Sequence, residues 1–237
     1  MSEDLLEVIK KRNSSRGLFV DHRPIDSSDL YDILEAARWA PTAHNMQNFE
    51  IVVVDDKSIL EKISELESTV SPIFLKENYP QLSFSEEEWK QRKTGILANQ
   101  FPKEWLSEEA QQGKIEPSVS NLGKLISDVP ILLLVLYDPT HRAPASEGDF
   151  LGIMSLGFMI ENMWLVATER GIGLHIVSAF GNEPLSTDVR KLLDIPSETT
   201  IALGIRLGYS DYDDKRTRVR REVEDFVSMN HYEKKDK

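Results

Sequence analysis

The stretch Ala40-Pro41-Thr42-Ala43-His44-Asn45-Met46-Gln47-Asn48-Phe49 is a polar corner between two kinds of periodicity. Upstream, Leu30, Ile33, Leu34 and Ala37 recur at helical spacing behind the helix-start residues Asp26, Ser27 and Ser28. A helix with one buried face therefore enters the corner, and it stops at Pro41 because the residue before proline is disfavoured in helical geometry. Downstream, Phe49-Glu50-Ile51-Val52-Val53-Val54 is β-branched and closed by Asp55-Asp56, which is strand chemistry. The Pro, Thr, His, Asn and Gln between them set donors and acceptors at a helix end, where a planar polar ligand can be read; the same composition also suits an ordinary connecting loop.

Working outward, Leu5, Leu6, Val8 and Ile9 predict a short first helix that runs into Lys11-Arg12-Asn13-Ser14-Ser15-Arg16. Beyond the strand, Ile59, Leu60, Ile63 and Leu66 mark another amphipathic helix. From about Pro72 to Ser127 aromatics (Phe74, Tyr79, Phe84, Trp89, Phe101, Trp105) are scattered among Glu, Lys and Gln. This stretch reads as a mostly helical insertion with too few aliphatics for its own core, serving either as surface decoration or as a cover over a ligand site. Pro130 to Tyr137 is apolar throughout and short enough for a strand covered on both faces. Phe150 to Arg170 is a long helix, apolar on most sides, to be buried centrally or against a second subunit, with Glu161 and Asn162 satisfying each other or nearby backbone. Gly171-Ile172-Gly173 ends it; Leu174 to Phe180 reads as a strand, Leu185 to Leu193 as a short helix, and Thr199 to Tyr209 as a last strand before a charged tail. The order argues an α/β (α+β) architecture, read as one domain over residues 1–237 with a helical insertion or lid at about 72–127.

The chain has 237 residues and a formal net charge of −12, so it offers no global attraction to nucleic acid or to an anionic membrane. It contains no cysteine, which removes disulfides and thiolate metal sites. The first ten residues are charged and lack the apolar core of a signal peptide, and no uninterrupted apolar run reaches the ~20 residues of a membrane span. The expectation is a soluble, cytoplasmic protein. A phosphate-binding P-loop, a G-x-G-x-x-G after a strand and a G-x-S-x-G elbow are all absent from the sequence. The five histidines show no metal-ligand spacing, so no metal is expected.

What remains is cationic. Arg12, Ser14 and Arg16 place two guanidinium groups and a hydroxyl just after a helix, and Arg218 and Arg220 place two more on alternate residues near the other end of the chain. Guanidinium forks hold phosphate oxygens bidentately. Either cluster alone also suits a solvated basic face. An alternative register pairs Arg216 with Arg218.

Taken in order, these segments resemble the FMN-dependent nitroreductase family. Arg12-Asn13-Ser14-Ser15-Arg16 resembles its opening Arg-x-Ser-x-Arg/Lys motif, and Ala40-Pro41-Thr42-Ala43-His44-Asn45-Met46-Gln47 its Ala-Pro-Ser-x-x-Asn-x-Gln motif. Gly171-Ile172-Gly173 with Val177-Ser178-Ala179-Phe180 resembles its late glycine turn and flavin-facing strand, and Arg218-Val219-Arg220 with Val223 to Val227 its closing basic motif. Asn48-Phe49 departs from the family's usual Pro-Trp, and the 72–127 insertion matches none of its motifs.

The resemblance implies a central, mostly antiparallel sheet flanked by helices, in an intertwined homodimer with FMN at the interface. It implies that Arg12, Ser14, Arg218 and Arg220 hold the phosphate, with Asn13 contributing through its backbone. Arg16 would lie at the pyrimidine end of the ring system. Pro41, Thr42, Ala43, Asn45 and Gln47 would reach across from the partner, and Val177, Ser178 and Ala179 would line the ring. The activity implied is NAD(P)H-dependent reduction of electron-poor acceptors such as nitroaromatics or quinones, centred on flavin N5 with no catalytic side chain. Other branches of the fold imply deiodination, flavin fragmentation or flavin binding without turnover.

Overall fold

The apolar run Ile131–Tyr137 is buried at every position, as a strand with both faces covered must be. The computed structural model describes the whole chain except residues 1–3, 21–22, 72, 79–81, 101, 116, 118–121, 143, 145–146, 211–217 and 236–237. In chain order its main elements are α1 (Leu5–Lys11), α2 (Ser27–Arg38), β1 (Phe49–Val54), α3 (Lys57–Ser64), β2 (Ser83–Phe84), α4 (Glu86–Arg92), β3 (Ile96–Leu97), α5 (Glu108–Gln111), α6 (Leu122–Ser127), β4 (Ile131–Tyr137), α7 (Phe150–Glu169), β5 (Gly173–Val177), α8 (Leu185–Leu192) and β6 (Thr200–Gly208). The chain divides into two compact units, residues 1–68 with 121–213 and residues 69–120 with 214–237.

The first unit is built on a four-stranded sheet in the order β1-β4-β6-β5, antiparallel at every pairing. Alternate residues of a strand face opposite sides. Ile131, Leu133, Val135 and Tyr137 of β4 join Ile205 and Leu207 of β6 in one core with Ile33 and Ala37 of α2 and Met159, Met163 and Trp164 of α7. The buried positions of α7 (152, 155, 156, 159, 160, 163, 164 and 167) recur every three or four residues, so one stripe of this helix faces α2 and the sheet. Asn162 donates to the Ala36 carbonyl at 3.2 Å, and Arg170 pairs with Asp29 and Asp32, which clamps α2 along α7.

By length and composition α7 could cross a membrane, a property that a search for uninterrupted apolar runs misses because Glu161 and Asn162 break it. Its outer face is apolar too: Phe150, Leu151, Ile153, Met154 and Phe158 are all exposed. The helix is therefore neither wholly central nor wholly a surface helix.

Three boundaries differ from the sequence expectation. The helix before the corner ends at Arg38, not at Pro41, because Trp39 leaves helical geometry first. The strand from Leu174 stops at Val177, and Ser178–Gly181 winds into a 3-10 turn. Helix α6 belongs to the sheet unit, where it packs on α3, so the inserted stretch ends near 120.

In the second unit, β2 and β3 form a short parallel pair, and α4 starts with a reciprocal Ser85–Glu88 capping box. Buried Trp89 donates to the Gly95 carbonyl at 3.1 Å. Val70, Leu75 and Ala110 are buried beside Phe74 and Trp105, whose rings meet edge to face at 5.8 Å. The stretch thus has a small core after all, part aliphatic and part aromatic. Tyr79 and Phe101 lie outside the described residues.

Candidate cofactor site

The cationic segment after α1 wraps the β5 edge of the sheet. Arg12 caps α1 and turns the chain out of the helix. Trp164 of α7 holds the next step: its Nε1 donates to the Asn13 carbonyl at 2.9 Å, and the Arg12 guanidinium carbon lies 4.6 Å over its ring. Glu161 stands 3.5 Å from Arg12 Nε. Ser14 then bridges Leu174 of β5 in parallel fashion, and the Ser15 amide donates to the Leu174 carbonyl at 3.0 Å. Arg16 is exposed just beyond. Arg12, Asn13, Ser14 and Arg16 are therefore laid along the strand whose continuation is Val177, Ser178 and Ala179.

The Ser15 and Phe19 side chains both lie against the face of the sheet that Gly173 presents. Gly173 and Gly208 sit directly opposite each other in the β5–β6 pairing. A Cβ at either would come within 2.8 Å of the Phe19 ring, so the two glycines form a clearing that the ring fills. The adjacent cross-strand pair on that face is His175 and Arg206. The Arg206 side chain is wholly buried: it pairs with Asp128 at 3.0 Å, donates to the Gly17 carbonyl at 3.4 Å and to His175 Nδ1 at 3.2 Å, and lies 4.6 Å from the Phe19 ring centre. Asp128 in turn accepts the Phe19 amide at 2.6 Å. Burial pushes the Arg206 guanidinium down from its ordinary value, and the charge of Asp128 opposes that shift. A guanidinium has only donors, so His175 accepts at Nδ1 and a neutral ring carries its proton on Nε2.

The corner sits farther along α7. Ala43 donates its amide to Ser155 Oγ at 3.2 Å, and Ser155 donates to the Leu151 carbonyl. Thr42 Oγ1 accepts the Gln47 amide at 3.1 Å, and the Gln47 side chain reaches Asn45 Oδ1 at 3.3 Å. His44, Asn45 and Gln47 all have left-handed backbone, with φ of 51°, 54° and 46°. Such a cluster of non-glycine residues stores strain, as loops shaped for a ligand often do. A cavity of about 410 Å³ lies beside it, lined by Gln47, Asn48, Phe49, Tyr137 and His141 among others. Ser155 and Trp164 are separated by roughly 13 Å of helix at 1.5 Å per residue, so the corner and the cationic arm of one chain occupy different stations on α7.

Of the residues expected to bind a cofactor, the first group (Arg12, Asn13, Ser14, Arg16) and the third (Val177, Ser178, Ala179) come together on the β5 edge. The corner residues Pro41, Thr42, Ala43, Asn45 and Gln47 form a separate cluster. Arg218 and Arg220 lie in the second unit, both exposed, with Arg220 Nη1 donating to the Val219 carbonyl at 2.7 Å. Arg216, the alternative partner of Arg218, lies outside the described residues. Glu161, Trp164, Asp128 and Arg206 were not expected at the site. No group of metal-ligating side chains occurs among the described residues.

An antiparallel sheet packed against helices, with a cationic arm along its edge, defines an α+β protein. Residues 9–209 match the nitroreductase family model, and the chain belongs to that family. It is 24% identical over 207 residues to the "Putative NAD(P)H nitroreductase YfhC" of Bacillus subtilis (strain 168), covering 87% of this chain and 84% of that one. Among solved structures it resembles a nitroreductase with bound FMN from Bacteroides fragilis, with TM-score 0.58, 20% identity, and 97% and 100% of the two chains covered. It also resembles the NADPH:FMN oxidoreductase of Vibrio harveyi complexed with NAD+, with TM-score 0.61, 17% identity, and 99% and 80% covered.

Proposed function

We propose that the protein is an FMN-dependent NAD(P)H oxidoreductase acting on electron-poor acceptors such as nitroaromatics or quinones, as a cytoplasmic homodimer. The observation that carries this is the arm Arg12–Arg16, aligned with the strand that runs into Val177–Ala179, in a chain belonging to the nitroreductase family. The donor set suits a flavin phosphate: guanidinium groups, a serine hydroxyl and backbone amides in one short segment. Asn13 holds a buried Oδ1 with no hydrogen-bond partner among the described residues, an acceptor suited to a cofactor hydroxyl and not to its phosphate.

Bound FMN would supply a hydride acceptor at N5. In this reading Arg12 and Ser14 hold its phosphate. Arg16 stands at the pyrimidine edge, where a cation stabilises negative charge. Val177, Ser178 and Ala179 line the ring. Thr42, Ala43, Asn45 and Gln47 close over it from the partner, a reading favoured by their distance along α7 from the arm of their own chain. The exposed apolar face Phe150, Ile153, Met154 and Phe158 suits a partner surface. Reductant and acceptor take turns in one space, and neither needs a dedicated nucleotide fold.

The test is the absorbance spectrum of the purified protein, before and after adding FMN, followed by anaerobic titration with NADH and with NADPH. Flavin absorbance that bleaches with either nicotinamide and returns with a quinone supports the proposal. No FMN binding, or bound FMN that neither nicotinamide reduces, overturns it.

A further inference from the structure

Arg206 is a fully buried cation outside every motif expected to touch a cofactor, yet it joins two segments that carry such motifs. On one side it donates to the Gly17 carbonyl with both terminal nitrogens at 3.4 Å, one residue beyond Arg16. Through Asp128 it also fixes the amide of Phe19. On the other side it meets His175 on β5, two residues before Val177. A buried ion pair is weak evidence of stabilisation in itself, since two apolar side chains of similar volume often serve as well. What an apolar pair cannot do is hold a backbone carbonyl, a carboxylate and an imidazole at fixed positions at once.

We propose that Arg206 is a positioning residue of the cofactor site, a buried strut that fixes the arm through Gly17 and Phe19 against the β5 segment through His175. This rests on the FMN reading above. Without the strut the arm keeps its links through Asn13, Ser15 and Val20, but the turn carrying Arg16 loses its support from within the fold.

Three variants separate positioning from mere folding. Arg206→Met alone leaves the Asp128 carboxylate facing an apolar side chain and is expected to lower the Tm and weaken FMN binding together. Arg206→Met with Asp128→Leu removes both charges and is expected to recover part of the Tm, not all of it because the Phe19 amide loses its acceptor, while the FMN Kd stays raised by about tenfold or more because the arm is no longer held. Arg206→Lys keeps the ion pair but not the fork, and is expected to give a smaller rise in Kd with faster hydrogen exchange at the Ser15 and Phe19 amides. FMN binding is followed by quenching of flavin fluorescence, and exchange is measured on the protein without FMN. Wild-type FMN affinity in the double variant overturns the proposal, as does unchanged exchange at both amides in Arg206→Lys. Failure of the unmodified chain to bind FMN instead sinks the functional reading.

Discussion

Trp164 lies beneath Arg12, its ring centre 4.6 Å from the guanidinium carbon, while its own Nε1 donates to the carbonyl of the next residue, Asn13. One indole therefore sets both the side chain of Arg12 and the backbone of Asn13. The two roles separate by substitution. Trp164→Phe keeps an aromatic platform and loses only the N–H, which should cost about 1 kcal/mol of stability and change FMN affinity little. Trp164→Ala loses the platform as well, and should cost ~3–5 kcal/mol with a clear loss of FMN binding. Urea unfolding and fluorescence titration check the pair.

Glu161, one helical turn before Trp164, stands 3.5 Å from Nε of the same arginine. If Arg12 holds a phosphate, this carboxylate opposes the bound anion through its charge. Glu161→Gln keeps the shape and removes the charge, so FMN should bind about two- to threefold more tightly at low ionic strength, the gain shrinking as salt screens it. Titrations at two salt concentrations test this; weaker binding in the variant would make Glu161 a support of Arg12 and not its competitor.

The cationic arm was legible because five consecutive residues, Arg12 to Arg16, carry its chemistry. What holds it was not. Glu161, Trp164, Asp128 and Arg206 act on residues 31 to 189 positions away, and no local periodicity announces a partner at that separation. The fold was more readable. The span of β1 and the apolar run of β4 are strand chemistry that tertiary packing did not override. The strand after Gly173 was read too long because Ser178, Ala179 and Phe180 contain no turn signal before Gly181. The clearing under Phe19 shows in the sequence only as two glycines 35 residues apart, and pairing alone makes them one feature.

That clearing gives a sharp test of the arm. At Gly173 an added Cβ would stand 2.7 Å from Ser15 Oγ and 2.8 Å from a Phe19 ring carbon. Gly173→Ala must push one of them away, at about 1–3 kcal/mol for the overpacking. Because Ser15 and Phe19 bracket Arg16, FMN affinity should fall as well. The double variant Gly173→Ala with Phe19→Leu should regain part of the stability, measured by thermal unfolding.

Acid response has one legible centre at the cavity beside the corner. Asp138 is held down to about 2, first by the Thr140 hydroxyl, then by the Thr140 amide and the His141 ring. A carboxyl whose folded pKa is depressed stabilises the fold above its ordinary value of 3.8 and loses that contribution as pH falls through about 2. The Tm difference between Asp138→Asn and the unmodified protein should therefore be present near neutrality and shrink in that acid window. Titration of the Asp138 carboxyl by NMR gives the midpoint directly, and a midpoint at the ordinary value would remove the Thr140 bonds from the solution structure.

The exposed face of α7 is the place to test assembly. Phe158 is 43% exposed and Ile153 59%, on a helix whose first half carries no outward charge. A glutamate at Phe158 stays in water in a monomer and costs little there, whereas in an apolar interface it must be desolvated without a partner. Phe158→Glu should therefore shift the protein from dimer to monomer in light scattering while leaving the fold's circular dichroism unchanged. It should also abolish FMN binding, because Thr42, Ala43, Asn45 and Gln47 are assigned to the partner's site and a monomer cannot deliver them. A monomeric variant that binds FMN as tightly as the unmodified protein would assign the flavin to one chain alone, and would leave the strained backbone of His44, Asn45 and Gln47 without its proposed use.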